Sequence, residues 1–121
     1  MEDQQLKQIT RVLKALSDEN RIRMICLIWS RKDLCVCEIT EIIGLAQPTI
    51  SSHLKILENA GLIESYKNGL WVNYNIRQDL DPFRSGLIEP LYKKLKKDKK
   101  IKSDLERIKN IDREMICRKK N

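Results

Sequence analysis

The chain has 121 residues, enough for one domain; 41% are hydrophobic and 34% charged, so a modest core lies beneath a well-solvated surface. Its net charge of +7 is unevenly placed: residues 93–120 hold 13 basic and 5 acidic residues, residues 1–92 hold 11 and 12. The longest apolar run, Met24 to Trp29, is too short to span a membrane, and the acidic start does not read as a secretory signal. The expectation is a cytoplasmic protein with no membrane partner, whose four cysteines are thiols. One histidine, four glycines, no nucleophile and base pair, no acid pair and no phosphate loop argue against an enzyme and against an organic cofactor.

Leu6, Ile9, Val12, Leu13 and Leu16 recur at helical spacing and predict a helix from Gln4 to Leu16. Ser17 and Asp18 are N-cap types, and Ile22, Ile25, Cys26, Ile28 and Trp29 mark a second, more buried helix. Polar Ser30 to Asp33 breaks it. A short helix, roughly Val36 to Ile43, stops at Gly44. Pro48 sits in the first turn of the next, whose apolar face is Ile50, Leu54 and Leu57 and which Gly61 ends. Two short helices joined by a tight turn read as helix-turn-helix.

The β-type runs Leu62 to Tyr66 and Leu70 to Ile76 flank Lys67-Asn68-Gly69, a strong hairpin signal. The expected fold is mainly α with a β-hairpin wing, a winged helix-turn-helix. After Asp79-Leu80-Asp81-Pro82 the chain turns helical again, with Pro90 expected in a first turn. Ile101, Leu105, Ile108, Ile111 and Met115 follow at intervals of 4, 3, 3 and 4, a narrow seam of the coiled-coil kind. The seam is read as pairing with a second subunit; packing onto its own body is the alternative.

In a helix-turn-helix the first turns of the second helix reach base edges, here Gln47, Thr49, Ser51, Ser52 and His53. Gln47 can bind adenine bidentately, whereas the hydroxyls suit bases or phosphates. His53 faces away from the apolar stripe and is read as near DNA, with a neutral histidine bonded to nearby backbone as the alternative. Lys55, Lys67 and Asn68 are phosphate or minor-groove candidates, and Trp71 reads as wing core. Residues 47–77 carry a net charge of only +1, weak for a DNA face. The Lys-rich 93–102 segment supplies long-range attraction or is a solvated helix face.

Cys35 and Cys37 are soft ligands, suited to soft or borderline ions. On a regular helix residues i and i+2 point about 200° apart, so one ion held by both requires local unwinding or extended backbone. Cys26, in the apolar run, reads as a buried structural thiol.

Leu16-Ser17-Asp18-Glu19-Asn20-Arg21-Ile22-Arg23, the box Leu34-Cys35-Val36-Cys37-Glu38 and the stretch from Gln47 to Ile63 together resemble the ArsR/SmtB metal-sensing repressors, over about Leu6 to Ile76. The resemblance implies a homodimer joined through terminal helices, bound to double-stranded operator DNA and released by an ion. Residues 1–92 would form the DNA-binding domain with an N-terminal dimerisation helix, and 93–121 a basic C-terminal helix that also dimerises. The cysteine box is similar to that of arsenite, cadmium and lead sensors. The arsenite sensors bind through three sulfurs, and where some place a third cysteine this chain has Thr40. Cys117 is the candidate third ligand, set against an incidental surface thiol. Arsenite or antimonite is the expected inducer, with cadmium or lead as the alternative. No histidine lies in the C-terminal region, which disfavours a zinc or nickel site there. A thiol redox sensor at Cys35 and Cys37 is the competing reading; the spacing is not C-x-x-C.

Overall fold

The computed structural model describes residues 4–111 and Ile116. Among the described residues the elements run in the order α1 (Gln5–Ala15), α2 (Glu19–Ser30), β1 (Leu34–Cys35), α3 (Val36–Ile43), α4 (Gln47–Asn59), β2 (Ile63–Asn68), β3 (Trp71–Ile76), α5 (Pro82–Leu95) and α6 (Lys99–Lys109). The strands form one antiparallel sheet in the order β1-β3-β2. The fold is a winged helix-turn-helix.

Local chemistry accounts for most boundaries. Asp18 caps α2 by accepting from the Arg21 N–H, and α3 ends where Gly44 adopts φ 83°, a left-handed value that suits glycine. The core gathers Val12 and Ala15 of α1, Met24, Ile25, Leu27 and Ile28 of α2, Ile39, Ile42 and Ile43 of α3, and Ile50, Leu54 and Leu57 of α4. Ile63 and Ile88 close it from the wing and α5. The α3–α4 pair is thereby seated on α2, which fixes the outer face of α4. Among the described residues no helix is long and apolar enough to cross a membrane.

Several expectations need correction. The wing turn is not Lys67-Asn68-Gly69: β2 runs through Asn68, which pairs with Trp71, leaving Gly69-Leu70 as the loop. Gly69 takes φ 63° at the first loop position, so the glycine fixes the turn one residue later than expected. The pair Leu34–Cys35 is a short strand held by Tyr74 and Asn73 of β3, a pairing no local pattern announced.

Pro90 lies inside α5 rather than in a first turn; Pro82 occupies that role. Both Pro90 and Gly86, whose carbonyl Pro90 cannot pair with, are exposed residues. Residues 93–109 are not one helix. α5 runs past residue 92 to Leu95, and α6 restarts where Asp98 accepts from the N–H groups of Lys100 and Ile101.

The seam of α6 packs onto its own body. Ile101 and Ile108 are buried, and Leu105 and Ile111 lie against the core. Arg23 of α2 adds to this by binding Asp104 through Nε at 2.8 Å and Nη2 at 3.0 Å. Met115 lies outside the described residues.

Candidate nucleic-acid interface and soft-ion site

Helix α4 buries Ile50, Leu54 and Leu57 and leaves Gln47, Thr49, Ser51, Ser52 and Lys55 exposed. Lys67 and Asn68 are exposed near the wing tip. All seven side chains are accessible. The Ser52 hydroxyl donates to the Pro48 carbonyl at 3.0 Å, which leaves its oxygen to accept.

His53 is placed differently from its helix-wheel position. It is half-buried, and its Nδ1 lies 3.0 Å from Nη1 of Arg21. Guanidinium groups only donate, so Nδ1 accepts and the ring proton sits on Nε2. The same Arg21 donates Nε to the Ala15 carbonyl at 2.7 Å and Nη2 to the Lys14 carbonyl at 3.2 Å. One guanidinium thus ties the end of α1 to α4, a role that sequence order 32 residues apart did not signal.

At the cysteine box, Cys35 is 1% exposed and Cys37 half-buried. Cys35 is the N-cap of α3 in extended backbone, φ −87° and ψ 161°, while Cys37 lies in the first helical turn. The box is therefore half strand and half helix, and only Cys37 would have to leave a regular helix to share an ion. The side chain of Cys35 faces the Glu38 N–H, and Glu38 Oε1 accepts from the Cys35 N–H at 3.0 Å: a reciprocal capping box.

Glu38 is fully buried, with Oε2 at 3.8 Å from Nη1 of Arg31. Arg31 also donates Nη1 to the Ile108 carbonyl at 2.9 Å. At the other end of α3, Arg107 donates to the carbonyls of Ile42 at 3.1 Å and Glu41 at 3.2 Å. Neither Arg31 nor Arg107 was a candidate from sequence, because each acts on a partner distant in the chain.

Thr40, standing where a third cysteine could be, is buried and donates to the Val36 carbonyl at 2.6 Å. Cys26 is 1% exposed, and burial, with Asp104 and Asp98 adding to it, pushes its thiol up to about 11. It is a core thiol. Cys117 lies outside the described residues. Among the described residues no three His, Cys, Asp or Glu side chains gather closely enough to hold a metal. Cys35 and Cys37 are a fitting but incomplete donor set for a thiophilic ion.

Residues 18–65 match the family described as "Bacterial regulatory protein, arsR family". The chain is 37% identical over 78 residues to the arsenic resistance transcriptional regulator ArsR1 of Pseudomonas putida, covering 64% of this chain and 61% of that protein. It is 30% identical over 82 residues to the arsenical resistance operon repressor of Escherichia coli K12, covering 68% of this chain and 70% of the relative. A solution structure from Mycobacterium bovis also superposes on it, the homodimeric winged helix-turn-helix DNA-binding domain of a possible ArsR-family transcriptional regulator. There the TM-score is 0.61 at 27% identity, covering 71% of this chain and 76% of that one. The relatives are transcriptional regulators and not enzymes. With the family match running from the cap of α2 through the cysteine box and the reading helix into the wing, the chain belongs to the arsR family of bacterial regulatory proteins.

Proposed function

We propose that the protein is a homodimeric repressor that holds operator DNA when ion-free and releases it when arsenite or antimonite binds Cys35, Cys37 and Cys117. The observation that carries this reading is the dual position of Cys35, at once a soft donor and the N-cap of the helix that seats α4. Trivalent arsenic, arriving as its hydroxide, exchanges one hydroxyl for each sulfur, and the thiol proton leaves with it as water. A Cys35 sulfur turned to the ion no longer caps α3, so capture and loosening of the reading unit are one event.

Gln47, Thr49, Ser51, Ser52 and Lys55 of α4, with Lys67 and Asn68 of the wing, contact DNA; His53 positions α4 through Arg21. Dimerisation uses α1, whose Leu6, Ile9 and Leu13 are exposed, with exposed Phe83 of α5 nearby across a shared groove. This assigns the partner surface to α1 and α5 and leaves α6 to its own subunit. Cys117 follows Ile108 by nine residues, and the Ile108 carbonyl is already anchored to Arg31 beside Glu38, which favours a third sulfur from the same subunit. Cadmium or lead is the second choice of ion, favoured by the Glu38 carboxylate beside Cys35. The redox reading has less support, because Cys35 is almost fully shielded.

The test selects duplexes from a random pool with the reduced protein, then titrates them by fluorescence anisotropy with and without arsenite. Arsenite should weaken binding of the wild type and leave the Cys35→Ser/Cys37→Ser variant unmoved. Failure to enrich any duplex, or release by arsenite without both cysteines, would refute the proposal.

A further inference from the structure

We propose that Asn73 is a positioning residue of the soft-ion site, its side-chain amide donating to the Cys35 sulfur once that sulfur is an ion-bound thiolate. The inference rests on the reading of Cys35 and Cys37 as ligands and adds a residue outside the cysteine box.

Asn73 stands in the middle of β3, directly opposite Cys35 on one side and Tyr66 on the other. Opposed residues of an antiparallel pair project to the same face with Cβ atoms about 4.5–5.5 Å apart. The register therefore sets the Asn73 and Cys35 side chains beside each other on one face of the sheet. Both residues are 1% exposed, so water does not serve them from outside.

The amide is unsatisfied. Among the described residues, neither Nδ2 nor Oδ1 of Asn73 has a hydrogen-bond partner. Its neighbours on the same face are well served: Asn75 accepts from the Asp33 N–H at 2.8 Å and donates to its carboxylate at 2.9 Å, and Tyr66 donates to that carboxylate at 2.6 Å. Leaving a buried amide unpaired is costly, and asparagine is in any case a poor strand residue. A valine or leucine would serve the ion-free fold better.

The cost is recovered in the ion-bound state. A neutral thiol is a weak acceptor, whereas a thiolate carries charge and accepts strongly. Ion capture converts Cys35 from the first to the second beside a donor that has no other use. Nδ2–H then fixes the sulfur's direction and stabilises its charge, as outer partners of metal ligands do elsewhere. Since Asn73 is idle in one state and bonded in the other, its whole effect appears in ion affinity.

The experiment compares wild type with Asn73→Leu, and with Asn73→Ala in case leucine overfills the site. Thermal melts of the ion-free proteins are paired with arsenite titrations followed by sulfur-to-arsenic absorbance. Asn73→Leu should melt no lower than wild type yet bind arsenite ten- to a hundredfold more weakly, with a displaced absorbance band. Unchanged affinity overturns the proposal, and so does a lower melting temperature of both ion-free variants, which would mark the amide as structural. If wild type itself takes up no arsenite, the ligand reading falls first and the proposal with it. Wild-type binding with unaltered variants removes Asn73 alone.

Discussion

Arg23 and Asp104 meet in a two-bonded ion pair, 2.8 and 3.0 Å, across 81 residues of chain, with side chains only 11% and 2% exposed. It joins α2 to α6 at the centre of the fold. Breaking a buried pair strands one charge, which costs about 3–5 kcal/mol. Asp104→Ala should lower stability to urea by that order, whereas the double change Arg23→Met/Asp104→Leu should recover most of the loss. Equal destabilisation by the single and double variants would show that α6 is held by its apolar seam instead.

Arg21 binds α1 to His53 without reaching the outer face of α4. Arg21→Ala should weaken binding to a selected duplex about tenfold while costing roughly 1–2 kcal/mol in a thermal melt, the worth of one or two such bonds. Lysine cannot reproduce a fork that serves three acceptors, so Arg21→Lys should restore only part of the affinity. Full affinity in Arg21→Ala would mean that α4 is seated by its apolar face alone.

Cys26 sets the alkaline limit. In the unfolded chain the thiol loses its proton near pH 9.0, but in the folded chain it keeps it until about 11. Between these values the folded state holds more protons, so stability falls as pH rises through the window, by about 3 kcal/mol when complete. Burial of Tyr74 raises its phenol and adds loss of the same sign at high pH. Denaturant midpoints measured from pH 8 to 11 should fall more steeply in wild type than in Cys26→Ala. Parallel curves would show that some other group governs the alkaline slope.

The exposed apolar face of α1 offers a test of assembly. Leu6→Glu and Leu13→Glu together place two charges where Leu6 and Leu13 are 78% and 50% exposed, so the subunit's own fold should be untouched. Sedimentation velocity should then show a monomer at concentrations where wild type is dimeric. Persistence of the dimer would move the contact away from α1.

What could be read from sequence, and what could not, divides along the range of the interactions. The bounds of α3 were legible because Ile39, Ile42 and Ile43 repeat at helical spacing and Gly44 ends them. The wing was legible because Gly69 sits between two β-type runs. β1 was not, since two residues have no period and become a strand only through Tyr74 and Asn73. The destination of α6 was hidden for another reason. Its seam is equally apolar toward any partner, and Arg23 and Arg31, together with the Arg107 bonds to α3, tie it to the chain's own body. His53 likewise turns on Arg21, and Asn73 looks like any strand asparagine until the register sets it opposite Cys35.

The carbonyl grip of Arg107 on Glu41 and Ile42 gives α3 two ends of unequal tenacity. Its first turn depends on Cys35, which the proposed ion capture would remove, whereas its last turn is pinned by a side chain outside the proposed site. Such a rod behaves as a lever with its fulcrum at the C-terminal end. We expect ion capture to speed amide exchange at Cys37 and Glu38 while leaving the amides of Ile43 and Gly44 slow. The short turn that follows would then carry a tilt, and not an unravelling, into α4.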